Sequence, residues 1–207
     1  MKGISVVNEN LVPHSLGLSI ENPGRHSQDF FTRYNKEEAA HKRPISVTIK
    51  RSLEDVAAIV SDIQNLPLFM ENLEAIESVV EGRYNWRFRD EDDYNLELRI
   101  PMVVELNKLK NTYVWESEDS AGFKYSVGLI LERAAADRGT VARMMVMYET
   151  TVGDIVGLFE KLFGNDAEML SKRNLIRLQA FCETGHVPTI KGQSSGRDED
   201  KPSSMKH

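Results

Sequence analysis

Cysteine and histidine are scarce in this 207-residue chain, and their scarcity excludes several kinds of chemistry. The only cysteine is Cys182, so this sequence has neither an internal disulfide nor a site built from several thiolates. All five histidines lie outside residues 44–185, which leaves this central part without an imidazole for general base catalysis or metal binding. We therefore predict no metal, no cofactor and no catalytic residue in the central part.

Long apolar runs are also absent. No stretch approaches the roughly 18 apolar residues that a membrane helix needs. The first residues, Met1–Ser5, lack the apolar run of a secretion signal. We expect a soluble, cytoplasmic protein.

Cys182 lies late in an apolar-periodic segment, and we interpret it as a small buried hydrophobe instead of a reactive thiol.

Basic residues are too few in the central region for nucleic-acid binding. Residues 44–185 carry 16 Lys or Arg against 24 Asp or Glu, whereas binding to phosphates rests on basic surface. The sequence therefore predicts no nucleic-acid partner. The acidic stretch Asp90–Asp93 lacks the ligand spacing and central glycine of a calcium loop, so we interpret it as a solvated turn.

The composition divides the chain into three regions. Residues 1–43 mix short apolar stretches with proline and glycine, and we interpret them as an N-terminal extension with one helix near residues 27–40. Residues 186–207 are rich in serine, glycine and charge, which predicts a flexible tail. Between them, residues 44–185 are predicted to form one folded domain.

Hydrophobic periodicity predicts an α+β architecture for this domain. Alternation over Ile45–Ile49 indicates a first strand. Ser52 then has the properties of a helix N-cap, and a proline in a first turn indicates a second short helix at Asn65–Met70. Six more alternating segments, joined by tight polar turns, predict an antiparallel sheet: Ile76–Val80, Tyr84–Phe88, Leu96–Leu106, Thr112–Ser117, Phe123–Leu131 and Thr140–Tyr148.

The last part of the domain has the hydrophobic periodicity of a helix. It begins at Ile155, breaks at Gly164, restarts at a capping sequence over Asn165–Glu168 and ends at Thr184–Gly185. A curved seven-stranded sheet needs an apolar partner on its concave face, and this long C-terminal helix is the candidate. The order of elements resembles the helix-grip fold of the START-like, birch-pollen-allergen-like superfamily.

Several short motifs carry a closer resemblance. They are Val47–Val56, Asn65–Glu71, Arg138–Thr140, Lys161–Gly164, Glu183–Gly185 and Gly192–Arg197. Together they resemble the bacterial SRPBCC proteins of the polyketide cyclase/dehydrase type, over residues 44–197. The motifs mark positions in the fold and none is catalytic. The resemblance implies a cavity between sheet and helix that accepts a hydrophobic small molecule.

The inner face of the predicted sheet has no charged residue. Asn174 lies on the apolar stripe of the C-terminal helix, where the resembling proteins often have an aspartate, and its amide cannot act as an acid or base. Ser78 is a second inward polar group. With the resemblance, this face predicts a set of ligand-binding residues: Trp86, Phe88, Ile100, Met102, Tyr113, Trp115, Leu129, Met144, Tyr148, Asn174 and Leu178.

Three functions fit this sequence. The first is non-enzymatic binding of a neutral hydrophobic molecule such as a lipid, a quinone or a polyketide-like compound. The second is an aromatic polyketide cyclase or dehydratase in which Tyr113, Tyr148 and Asn174 orient the substrate. The third is an interaction protein with a vestigial cavity. The uncharged inner face favours the first.

Apolar residues also lie on the outward face of the predicted sheet. This convex patch consists of Val103, Val114, Ile130, Met145 and Met147. A contiguous apolar surface marks a contact, and two partners are available: a second copy in a homodimer or the N-terminal extension. We favour the extension, because it contains apolar residues without another place in the fold: Leu16, Leu18, Ile20, Phe30 and Phe31.

Overall fold

A computed structural model describes residues 30, 45–90, 96–107, 111–118, 123–150, 153–164 and 166–187. The predicted turn after Asp90, most of the predicted helix near 27–40 and most of the predicted tail lie outside these residues. Within them the elements follow the predicted order: β1 (Ile45–Ile49), α1 (Leu53–Ser61), α2 (Leu66–Phe69), β2 (Leu73–Val80), β3 (Arg83–Arg89), β4 (Glu97–Asn107), β5 (Thr112–Ser117), β6 (Phe123–Arg133), β7 (Thr140–Thr150), α3 (Gly153–Phe163) and α4 (Ala167–Thr184). Short 3-10 turns at Ile63–Asn65 and Ala135–Asp137 complete the set.

The seven strands form one antiparallel sheet in the order β1-β7-β6-β5-β4-β3-β2. Strands β2 to β7 are joined hairpin to hairpin, as the short polar turns predict. β1 pairs instead with β7, so β1 and β2 lie at opposite edges of the sheet. The segment containing α1 and α2 therefore carries the chain from one edge to the other.

The C-terminal helix α4 packs on the sheet through β1 and β7 and also contacts α2. Its buried stripe includes Leu170, Leu175 and Leu178. Gly164 has a left-handed backbone at φ 73°, which separates α3 from α4. The carboxylate of Asp166 then accepts the backbone N–H groups of the first turn of α4 and caps it. Both features confirm the predicted break and restart.

The local structure explains why two of the motifs contain the residues that they do. The Ser52 hydroxyl accepts the backbone N–H of Asp55 at 3.1 Å, which confirms the predicted cap of α1. Gly139 has φ 110°, and a Cβ there would lie 2.1 Å from the carbonyl oxygen of Ile49. Only glycine fits that position, so this motif preserves the junction between β7 and β1.

Phe30 is the one residue of the predicted extension that the structure describes. It is fully buried on the convex face, in a cluster with Val114 and Met145. This confirms for Phe30 the predicted contact with the convex patch. The boundaries of the extension and of the tail remain predictions.

In the described ranges, no helix combines the length and apolar character needed to span a bilayer.

Candidate functional site

The eleven predicted ligand-binding residues all face one interior between the concave side of the sheet and α4. Nine belong to a single buried core, Tyr148 packs against that core half-buried, and Asn174 is buried beside it. The strand positions follow from pairing in register, since Trp86 lies opposite Ile100 and Leu129 lies opposite Met144. The structure thus brings the set together, and its role in binding remains a prediction.

A layer of aromatic rings crosses this interior. The ring centroids of neighbouring members lie 4.9 to 6.4 Å apart, in stacked, tilted and edge-on arrangements that aromatic pairs prefer. The layer begins near α1 and ends at the C-terminus of α3. Its members, in spatial order, are Tyr113, Trp115, Trp86, Phe88, Tyr125 and Phe163.

Two members of this aromatic layer are absent from the sequence-based set. Tyr125 lies four residues before Leu129 on β6, so the same alternation that places Leu129 inside also places Tyr125 there. Phe163 is the last residue of α3 and stacks on Tyr125 at 5.2 Å. A helical period alone does not show which end of a helix reaches the sheet, so the sequence held no comparable signal for Phe163.

Most polar groups of the interior already have protein partners. The Tyr148 hydroxyl donates to the carbonyl of Gly164 at 3.0 Å. The Asn174 Oδ1 atom accepts the backbone N–H of Glu71 at 2.9 Å. Tyr113 shares a side-chain hydrogen bond with Ser61. The bonds of Tyr113 and Tyr148 hold the end of α1 and the break before α4 against the sheet, and the bond of Asn174 joins α4 to the residue after α2, so all three have a structural role.

Trp86 is the exception. Its side chain is 0% exposed, and its indole Nε1–H has no hydrogen-bond partner. The other described buried side-chain atoms without a hydrogen bond are the Nε atoms of Arg87, Arg89 and Arg177, and the first two form ion pairs with Oε2 of Glu74 at 3.0 and 3.3 Å. An indole N–H can only donate, and leaving such a donor buried and unpaired costs about 1–3 kcal/mol. The interior therefore contains one donor to which a bound acceptor atom would add a missing bond.

The buried tyrosines are neutral groups. Burial raises the pKa of Tyr113, Tyr125 and Tyr148 above the ordinary value, and for Tyr125 the nearby carboxylate of Glu71 adds to that effect. A general base works best with a pKa near the working pH. These phenols hold their protons at neutral pH, so they can form hydrogen bonds but are not poised to act as general bases.

Two charged side chains form an ion pair beside the Asn174 bond. Glu71, just after α2, forms an ion pair with Arg173 of α4, with a distance of 2.5 Å from Nε to Oε2. The Arg173 side chain is 40% exposed, so the pair lies at the surface. The same two segments are joined by the bond between Asn174 and Glu71. Sequence reasoning missed this pair because its partners are distant in the chain.

Ser78 does not belong to the site. Its register opposite Tyr84 agrees with an inward direction, but the residue is exposed. β2 is an edge strand with register shifts at both ends, and its last residues from Glu77 to Val80 are all exposed. Ser78 therefore lies on the predicted face of the sheet but outside the buried interior.

Comparison with known proteins confirms the fold. No protein-family model and no curated protein sequence matches the chain. A solved structure from Deinococcus radiodurans is 19% identical, with 68% of this chain and 95% of that chain covered and a TM-score of 0.52. The ZhuI aromatase/cyclase from a Streptomyces species is 12% identical, with 68% and 92% covered and a TM-score of 0.51.

A third solved structure extends the comparison to a larger protein. The di-domain aromatase/cyclase StfQ of the steffimycin biosynthetic pathway is 12% identical, with 69% of this chain and 45% of that chain covered and a TM-score of 0.50. At these identities the likeness concerns the fold alone. The chain has the helix-grip fold that its motifs and order of elements predict, and it shares this fold with the solved structures above.

Proposed function

We propose that this protein binds a neutral, mainly hydrophobic small molecule between the sheet and α4, without catalysing a reaction. The observation that carries the proposal is the buried Nε1–H of Trp86, which lacks a partner among uncharged aromatic residues. Ligand sites are typically apolar with a few polar groups that fix orientation. A neutral donor in an apolar interior matches that description.

The indole N–H of Trp86 restricts the chemical class of ligand that would fit. An indole N–H recognises an acceptor oxygen, and the flanking rings of Phe88 and Trp115 favour a flat, unsaturated body. A quinone or a polyketide-like compound has both features. A saturated lipid tail offers no acceptor at that depth.

The absence of an activated group favours binding over catalysis. Tyr148 and Asn174 are engaged by Gly164 and Glu71, and the raised pKa values of the buried tyrosines keep them protonated. Tyr113 is held by Ser61. Acid-base chemistry requires a group that gains and loses a proton near neutral pH, and these groups supply none.

A cyclase or dehydratase is the second candidate. It is favoured by the two structural neighbours described as aromatase/cyclases, which share this fold. In that case Tyr113, Tyr148 and Asn174 would orient a polyketone, as the sequence suggests. The third candidate, an interaction protein with a vestigial cavity, is favoured by the close ring packing of the aromatic layer.

Calorimetry with 1,4-naphthoquinone tests the proposal. We expect the wild-type protein to bind it and Trp86→Phe, which keeps a ring but removes the N–H, to bind about tenfold more weakly. Trp115→Phe is the matched control, because the Nε1 of Trp115 is not among the buried unpartnered atoms. Equal affinities of the two variants would contradict the assigned role of Trp86.

Native mass spectrometry after mild purification separates the three candidates. A co-purifying neutral compound supports binding, and its release unchanged after incubation supports the non-enzymatic form. Conversion of a polyketone substrate by the purified protein would favour the cyclase. A protein that arrives empty and does not bind naphthoquinone would favour the interaction protein.

A further inference from the structure

The convex side of the sheet contains a notch one residue wide. Val114 of β5, Gly128 of β6 and Met145 of β7 pair directly across three neighbouring strands and form one row. Since Gly128 has no side chain, the middle of the row is open between two apolar walls. The ring of Phe30 lies in that opening.

The ring of Phe30 explains why residue 128 is glycine, whereas its backbone conformation does not. It is not among the described glycines with positive φ, so its backbone does not require glycine. A glycine inside a strand weakens the strand and often marks a close approach by another group. A Cβ at Gly128 would lie 2.1 Å from Cε1 of Phe30, which is far inside contact distance.

The burial pattern agrees with a filled notch. Val114 and Met145 are 2% and 3% exposed although they lie on the face opposite the main core. Phe30 is 0% exposed, and Ile130 and Met147 pack half-buried around it. These five residues form a cluster separate from the core beneath the sheet.

We infer that this notch is a docking site for one aromatic side chain, and that occupation by the chain's own Phe30 stabilises the folded protein. The walls are apolar and the floor is a bare backbone, so the site fits a flat ring and no charged group. The occupied notch also removes the central part of the convex patch from contact with a second copy.

A cycle of variants in the full-length chain tests the inference. Phe30→Ala should lower Tm by about 5–10 °C, because a fully buried ring is lost. Gly128→Ala should lower Tm by a similar amount, because the new methyl group displaces the same ring. The double variant should melt within about 2 °C of Phe30→Ala alone, since the two substitutions remove one shared contact.

Gly157→Ala is the matched control, because a Cβ at that helical position of α3 meets nothing within 4 Å. Its Tm should not fall. Losses that simply add in the double variant would overturn the inference. If Gly128→Ala alone fails to fold while the double variant folds, the clash with Phe30 is supported; a double variant that fails where Phe30→Ala folds would overturn it.

Nuclear magnetic resonance of the wild-type chain distinguishes the source of the ring. We expect nuclear Overhauser contacts from the Phe30 ring to the methyl groups of Val114 and Met145. In a mixture of labelled and unlabelled chains these contacts should be intramolecular only. Intermolecular contacts, with a dimer in light scattering that Phe30→Ala dissociates, would show that a second copy supplies the ring and overturn the assignment to the same chain.

Discussion

Asn174 of α4 accepts the backbone N–H of Glu71 through Oδ1 at 2.9 Å, and so joins the C-terminal helix to the end of α2. The Asn174 side chain is 1% exposed. We expect Asn174→Ala to lower the free energy of unfolding by about 1–3 kcal/mol, because the N–H of Glu71 loses its acceptor in a partly buried position. Urea unfolding monitored by circular dichroism measures this loss.

A second amide on the same helix provides the control for Asn174. Gln179 donates from Nε2 to the carbonyl of Thr48 at 2.8 Å, but this bond is exposed. Water replaces an exposed partner, so Gln179→Ala should cost less than about 1 kcal/mol. Equal costs for the two variants would mean that the Asn174 bond has no special structural role.

Cys182 should behave as a buried, protonated thiol. Burial raises its pKa to about 11, an effect that nearby Arg51 opposes and Glu183 reinforces. We expect slow reaction with iodoacetamide at neutral pH in the folded protein and fast reaction in urea, because only the thiolate is nucleophilic. Mass spectrometry of the alkylated chain measures both rates. Rapid alkylation of the folded protein would contradict a buried thiol.

The same raised pKa predicts a pH dependence of stability. A thiol whose pKa is higher in the folded state stabilises the fold fully below the unfolded value, about 8.5. That contribution is lost as the pH rises toward about 11. The difference in unfolding free energy between wild type and Cys182→Ala should therefore shrink from about pH 8 to about pH 10. A constant difference would show that Cys182 does not titrate differently in the two states.

An arginine-glutamate network on β3 and β4 should respond to acid. Hydrogen bonds from Arg99 at 2.8 Å and from Arg89 at 2.7 Å lower the pKa of Glu97. Its contribution to stability is present above the unfolded pKa and is lost as the pH falls through the folded one. We expect Glu97→Gln to cost up to about 1 kcal/mol at neutral pH and nothing once Glu97 is protonated in both states.

The measurement is urea unfolding of Glu97→Gln and wild type at neutral pH and at about pH 3. Glu132→Gln serves as the control, because Glu132 forms an exposed ion pair with Arg143. The control should have a smaller effect at neutral pH. A Glu97→Gln deficit that persists unchanged in acid would show that the carboxylate charge is not its cause.

Local patterns were sufficient to predict the strands, the caps and the face of the sheet on which each residue lies. The alternation from Tyr84 to Phe88 places Trp86 inside because successive strand residues point to opposite faces. The cap at Ser52 and the break at Gly164 also depend only on neighbouring residues. For this reason the fold class and the inward position of the eleven proposed residues could be predicted, although Tyr125 and Phe163 were missed.

Features that depend on residues far apart in sequence were not predictable. The alternation that points Ser78 inward cannot show that an edge strand leaves it exposed. The bond between Asn174 and Glu71 joins α4 to the turn after α2, and no local pattern describes how these two segments pack. Whether the Trp86 N–H has an acceptor depends on distances set by several strands at once.

Trp86 and Trp115 allow a test of the unpaired donor that requires no ligand. Both indoles are essentially fully buried, and their rings lie 6.4 Å apart. Trp→Phe removes the same volume at each position, so the cavity costs are similar. At Trp86 the substitution also removes an unpaired buried donor, which should return about 1–3 kcal/mol. We expect Trp86→Phe to be the more stable variant by that margin.

Urea unfolding of the two ligand-free variants measures this difference, with equal m-values showing that the unfolded states are comparable. In the same preparations, Trp86→Phe should be the variant that binds naphthoquinone more weakly. If the Trp86 N–H binds a ligand, Trp86→Phe should be the more stable variant and should bind naphthoquinone more weakly. If Trp86 only packs, the substitution should lower both the unfolding free energy and the affinity. A Trp86→Phe variant less stable than Trp115→Phe would show that the Trp86 N–H already has an acceptor in the folded protein.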